Sequence, residues 1–579
     1  MDETTKLSVK AFWEAVEAQL AACSAEDLRA ILRTLAQETP PAGRAAFLAR
    51  LKPAATELSA APILELEDLL AGIADLAQEI AVAMEDADAL EEASYERGAP
   101  YDDEDSLGPY EDFVESLVDL FTGTQAAFEA GDCELAAAAY RELFSLLNQE
   151  DDYGRGVQLS DLAGVDAGET VSRYLRAIYE TTPPAERPAT LYELMRAMRP
   201  LLSRRARLND LIQISSRPLP DQETFLADWI AYLRTQDTAS GSDGDAWLRE
   251  AVELAQGVAG LAALARAEGV TRPRAYLDWF AALERAGQTA DIIPAAQAAL
   301  QALPDDLPIR AAIADQLCAA AAQLKQDEVV REGRWQAFVA KPAVTRLLDL
   351  WEMETDAAAR TALMAQALRR IEAYVPPPAP AGDRPWRGDA LEVPAPTSAA
   401  LAVHAAMLAG EWDVAQGLAA YANVLGWSYT ESYQGLVVGV FLTLLSGKPP
   451  DALPGTLAAI WREGLQNSLG FSEQFSPAGA PLLRLERAYA TQLAQTHWPA
   501  DVQTRYLDWC LDVVRQRVAA IVGGQHRKSY DKAAVLLAAG AETLRSRGDS
   551  AAAGALVAEL RERFRRHSAF QAEVKRVWR

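Results

Sequence analysis

No stretch of this chain longer than a few residues alternates apolar with polar side chains on a β-branched background. Apolar residues return instead at helical spacing. Leu28, Ile31, Leu32 and Leu35 fall at i, i+3, i+4 and i+7, which puts them on one stripe of a helix. Breakers such as Thr39-Pro40-Pro41 and Thr182-Pro183-Pro184 separate these stretches. Alanine, the strongest helix former, is abundant within them. The pattern predicts an all-α chain of stacked helical hairpins with essentially no sheet.

A chain of 579 residues exceeds what one core serves, so it needs several domains or a long stack without a single centre. Large apolar side chains recur along the whole length, which excludes wholesale disorder. An N-terminal helical region is expected over 1–85. Within it, Ser24 begins one helix, with Glu26 and Asp27 at its positive end, and residues 62–84 form another. An acidic linker follows over 86–109, where Asp102-Asp103-Glu104-Asp105 lies between glycine–proline breakers. Its acids lack the Asp-x-Asp-x-Asp-Gly spacing of a calcium loop. Helical hairpins are expected over 110–236, then a polar linker, Asp237 to Asp245, and further TPR-like hairpins over 246–374. Seven prolines mark a connector over 375–398, because proline forbids a helix interior. A last helical region with a basic end covers 399–579.

The formal charge of −28 repels nucleic acid and anionic membranes at long range. Cys23, Cys133, Cys318 and Cys510 are far apart, with no CxxC and no histidine at ligand spacing, so buried free thiols in a reducing cytoplasm are expected. The first twenty residues hold no apolar signal core, and the longest apolar run, Gly435 to Leu445, is too short to cross a bilayer. A cytoplasmic protein without a membrane segment is the expectation.

One short pattern recurs at helix–helix joints. Gly131-Asp132 leads to Ala136 and Tyr140, Gly410-Glu411 to Ala415 and Ala419, and Gly548-Asp549 to Ala553 and Val557. A looser copy runs from Gly287 through Ile292, Ala296 and Ala299 to Pro304. Glycine closes one helix with a positive φ, the next residue caps the following helix, and small residues let paired helices approach. This resembles the tetratricopeptide (TPR) repeat, in which a turn glycine, a small residue five on and an aromatic or small residue nine on recur about every 34 residues. The copies are widely spaced here, so the resemblance implies an irregular TPR-like α-solenoid. At the other end, Gln525 to Tyr530 and Arg561 to Phe570 resemble the helical extension of bacterial SWIM zinc-finger proteins. The finger itself needs CxC followed by CxH, and the sequence has neither. What the resemblance implies is a helical partner-binding extension standing alone.

No residue is selected as catalytic, cofactor-binding or metal-ligating. His404, His497, His526 and His567 share no close spacing, and His404, in an Ala/Leu-rich helix, reads as a packed imidazole. Gly447-Lys448 is followed by Pro449 and lacks the glycine spacing of a P-loop. Asp75 and Glu79 read as a solvated helix face. Arg545, Arg547, Arg561, Arg563, Arg565, Arg566, Lys575, Arg576 and Arg579 form a basic cluster, read first as a solvated or internally paired end cap. Trp229, Trp279, Trp335, Trp351 and Trp427 read as core before groove lining. The function expected is a non-catalytic scaffold or adaptor holding a protein or peptide partner, with self-association as a further option and no cofactor. The alternatives are an enzyme with an unrecognised site in a helical fold, and a regulator touching nucleic acid through the basic C-terminal helices.

Overall fold

The computed structural model describes residues 66–95, 112–147, 149, 157–236, 239–305, 307–374, 397–429, 431–470, 473 and 481–578. Cys23, the helix start at Ser24, the acidic segment after Tyr95 and the connector up to Pro396 lie outside them. The described residues form helices and no strand, in two compact units divided after Thr181.

The first unit holds α1 (Leu66–Tyr95), α2 (Val114–Ala130), α3 (Cys133–Leu146) and α4 (Ala167–Thr181). α1 does not stop where the acidic linker was expected to begin. It runs on through Glu85 to Tyr95, because alanine, glutamate and leucine dominate those residues and favour helix whatever their charge. Leu69, Ile73, Leu76 and Ile80 form its buried stripe, while Asp75 and Glu79 are exposed. α1 packs on α2 and α3, and α3 packs on α4. Phe121, Phe144 and Tyr174 meet between them, with 5.3 Å between the Phe144 and Tyr174 ring centroids.

The second unit begins with α5 (Arg187–Ala197), α6 (Leu208–Gln213), α7 (Gln222–Leu233) and α8 (Asp243–Glu268). α8 starts inside the expected polar linker, since the Ser242 side chain accepts from the Asp245 N–H at 3.1 Å and caps it. Three hairpins follow: α9 (Arg274–Arg285) with α10 (Thr289–Ala302), α11 (Ile309–Gln323) with α12 (Asp327–Ala340), and α13 (Val344–Met353) with α14 (Ala357–Glu372). Each helix packs on the next along the chain. α15 (Ala399–Leu408) and α16 (Trp412–Ala420) make a fourth hairpin.

The remaining helices are α17 (Tyr433–Ser446), α18 (Gly455–Asn467), α19 (Pro481–Gln495), α20 (Ala500–Val518), α21 (Tyr530–Ser546), α22 (Ser550–Arg563) and α23 (Ser568–Val577). Here α21 packs on α17, α18, α20, α22 and α23 together. The apolar run Gly435 to Leu445 lies in α17 and is buried on nearly every face, as a helix without a polar stripe must be.

All four turn glycines adopt positive φ: 94° at Gly131, 72° at Gly287, 77° at Gly410 and 89° at Gly548. At each, the glycine N–H donates to the carbonyl three residues back, and the next N–H donates to the carbonyl five back from itself, which satisfies the open carbonyls of the first helix. Asp132 and Asp549 then cap the second helix, accepting from the N–H groups of Leu135 at 3.0 Å and Ala552 at 2.8 Å. The residues five and nine positions on are buried at every copy: Ala136 and Tyr140, Ile292 and Ala296, Ala415 and Ala419, Ala553 and Val557. Two further turns have the same bonds without a glycine. Lys325 and Gln525 take φ of 56° and 57° in its place.

Candidate functional site

His404 is fully buried between α15, α18 and α19. Its Nδ1 lies 2.8 Å from the Tyr489 hydroxyl and its Nε2 lies 2.9 Å from Ser468 Oγ. Burial pushes its pKa down to about 3, so the imidazole is neutral near neutral pH. With both nitrogens engaged by buried neighbours, it is the packed structural imidazole that its apolar helix predicts.

Cys133 and Cys510 are buried, Cys318 is partly buried, and all three are free thiols. Burial holds the Cys510 thiol well above its ordinary value and raises Cys318 to about 11, which removes the thiolate that chemistry at sulfur needs. Among the described residues no group of three or more His, Cys, Asp or Glu side chains is placed to hold a metal ion. None of their helices is long and apolar enough to cross a membrane.

The basic C-terminal residues are partly engaged within the molecule. Arg545 stacks on Trp578 at 3.9 Å, and Arg547 donates to the Leu445 carbonyl and to Gln503. Arg561 donates to Gln571, and Arg565 and Arg576 pair with Glu562 and Glu573. Each guanidinium carries five N–H donors, so these contacts engage the cluster only in part.

A groove of about 840 Å³ opens between α12 and α14. Short turns connect α12, α13 and α14, so α12 and α14 run in the same direction on either side of the end of α13. Glu328, Arg331, Glu332 and Trp335 recur at three- and four-residue steps on α12, while Ala359, Ala362, Leu363 and Gln366 do so on α14. That spacing faces the two strips toward each other. Half-buried Trp335, Met353 and Leu363 form the apolar floor. Charge sits on the rim, where Arg331 pairs with Glu354 and reaches Glu328 at 3.9 Å.

Of the five tryptophans singled out in the sequence, Trp229, Trp279, Trp351 and Trp427 are buried in the core. Trp335 alone of them enters the groove. Met353 and Leu363 had no distinguishing signal, since a half-buried apolar residue at helical spacing looks like any core position until a neighbouring helix is missing beside it. Compared with known protein families and with curated proteins, the chain matches none.

Proposed function

We propose that the chain is a non-catalytic protein-binding scaffold and that it holds its partner in the groove between α12 and α14. The observation that carries this reading is the floor of Trp335, Met353 and Leu363 beneath a charged rim. Tryptophan and methionine are the side chains that partner surfaces favour, because they supply large apolar area and, for methionine, an adaptable shape. A groove open along its length fits a protein segment with an apolar edge, such as an amphipathic helix, better than an enclosed small substrate.

The TPR-like reading of the hairpins is supported by the left-handed turn glycines and by the buried positions five and nine residues beyond them. A reducing cytoplasm is supported by the three free thiols.

The test is site-specific photo-crosslinking in native cells. A photoreactive residue at Ala362, exposed in the groove, is expected to trap a stoichiometric protein adduct. The same residue at Ala551, exposed on α22, traps none. Leu363→Asp is expected to abolish the Ala362 adduct while the purified chain keeps its helical circular dichroism. A partner that co-purifies without touching Ala362 moves binding away from the groove. Recovery of no stoichiometric partner at all rejects the scaffold.

A further inference from the structure

Four arginines fall within nine residues at Arg199, Arg204, Arg205 and Arg207, in a chain of net charge −28. They line a cavity of about 380 Å³ at the start of α8, and Arg249 adds a fifth guanidinium. Each of the four acids of its wall faces a donor. Asp243 faces Arg199 at 3.4 Å. Glu250 accepts from the N–H groups of Leu208 and Asn209, at 3.1 Å each, and so caps α6. Glu253 pairs with Arg285, and Asp278 with buried Arg249.

The arginines are not matched to the same degree. Arg205 has no ion-pair or hydrogen-bond partner among the described residues. Arg205 is exposed at the cavity mouth, and partial enclosure, then the charge of Arg249, outweigh the opposing pull of Asp243, Glu250 and Asp278 and lower its pKa. Arg199 donates to the Leu202 carbonyl at 2.9 Å, whereas Arg204 and Arg207 stand 3.6 and 3.4 Å from their carboxylates, beyond good hydrogen-bond distance. The N–H donors of Arg204 and Arg207 are therefore available to a better acceptor.

We propose that this cavity binds a small phosphomonoester, with Arg205 as its principal contact and Arg204 and Arg207 as flanking donors. A phosphate dianion carries enough acceptor oxygens to take donors from several planar guanidinium forks at once, a geometry that suits arginine. The volume matches a compact ligand. The acidic remainder of the molecule disfavours a long polyanion at this site, because its repulsion grows with each further charge.

Isothermal titration of the full chain at constant ionic strength tests the assignment, using inorganic phosphate, phenyl phosphate and succinate as probes. Phenyl phosphate is expected to bind with 1:1 stoichiometry, inorganic phosphate to compete with it, and succinate to bind at least about tenfold more weakly. Arg205→Gln is expected to weaken phenyl phosphate about tenfold or more while the variant keeps the helical circular dichroism of the wild type. Arg204→Gln weakens it less, and Arg462→Gln, exposed on α18 outside the cavity, leaves it unchanged. Absence of phenyl phosphate binding, succinate binding as tight as phosphate, or wild-type affinity in Arg205→Gln would each overturn the proposal.

Discussion

The hydroxyl of Tyr489 donates its proton to Nδ1 of His404 across 2.8 Å. The direction follows from the far side of the ring. Ser468 Oγ lies 2.6 Å from the Leu465 carbonyl, so its hydrogen is spent there and it accepts from the His404 Nε2–H at 2.9 Å. Nδ1 is then left as an acceptor, and Tyr489 must supply the donor. One chain of hydrogen bonds thus ties α19 to α15 and α15 to α18 inside an apolar core.

Tyr489→Phe is expected to destabilise the second unit by about 1–3 kcal/mol, because it leaves the buried Nδ1 lone pair without a partner. The urea midpoint, followed by far-UV circular dichroism, measures this. A midpoint equal to wild type would mean that Nδ1 is not an unpaired buried acceptor in the variant.

Stability should also fall as the medium is acidified through the range set by His404. Its pKa in the folded protein is about 3, against an ordinary value of 6.5. Above 6.5 neither state binds the proton and the group is neutral in its effect. Below 6.5 the unfolded chain takes up a proton that the folded imidazole refuses, so unfolding gains about 1.4 kcal/mol per pH unit until the folded pKa is reached. His404→Gln removes this component, although it is less stable at neutral pH. The slope of unfolding free energy against pH should therefore be shallower in the variant. Equal slopes would mean that the imidazole titrates alike in both states.

The turns offer a paired experiment. Lys325 adopts φ 56° where its counterpart Gly287 adopts 72°, and a side chain in that region costs about 1–2 kcal/mol. Lys325→Gly is expected to raise stability by about 0.5–1 kcal/mol after the added flexibility of the unfolded chain is counted. Gly287→Ala should lower it by about 1 kcal/mol. Space does not explain the loss, since a Cβ at Gly287 meets nothing within 4 Å. Thermal unfolding of both variants reads the opposite signs.

Gly464 is different, because its constraint is contact. A Cβ there would stand 3.0 Å from the Gly435 carbonyl oxygen and 3.1 Å from Leu436 Cα, both backbone atoms of α17. Gly464→Ala is expected to cost about 1–3 kcal/mol by forcing α17 and α18 apart. Gly554→Ala, on an exposed face of α22 with no atom within 4 Å of the added Cβ, should gain about 0.5–1 kcal/mol from helix propensity. Matched urea titrations compare the two.

Helices, and four of the turns, were legible because their causes are local. Gly131, Gly287, Gly410 and Gly548 can be read as turns since only glycine takes positive φ cheaply, and residues five and nine beyond each carry the packing. The same turn at Lys325 and Gln525 was hidden because the residue that must bend there advertises no such freedom. Charge misled at the end of α1, where acidic side chains hid the helix-forming backbone preference of Glu85 to Tyr95.

The sequence by itself determined the all-α class, the buried character of α17 and the geometry of the glycine turns, all of which depend on neighbours within one or two helical turns. Tertiary structure alone decided that His404 would meet Ser468 and Tyr489, that α21 would sit among five other helices, and that α12 and α14 would leave Trp335 and Leu363 facing open space. It also decided which cavity arginine would be left without an ion pair at contact distance. Contacts between distant helices depend on how whole faces pack and on which buried polar groups find partners. No local periodicity encodes that choice.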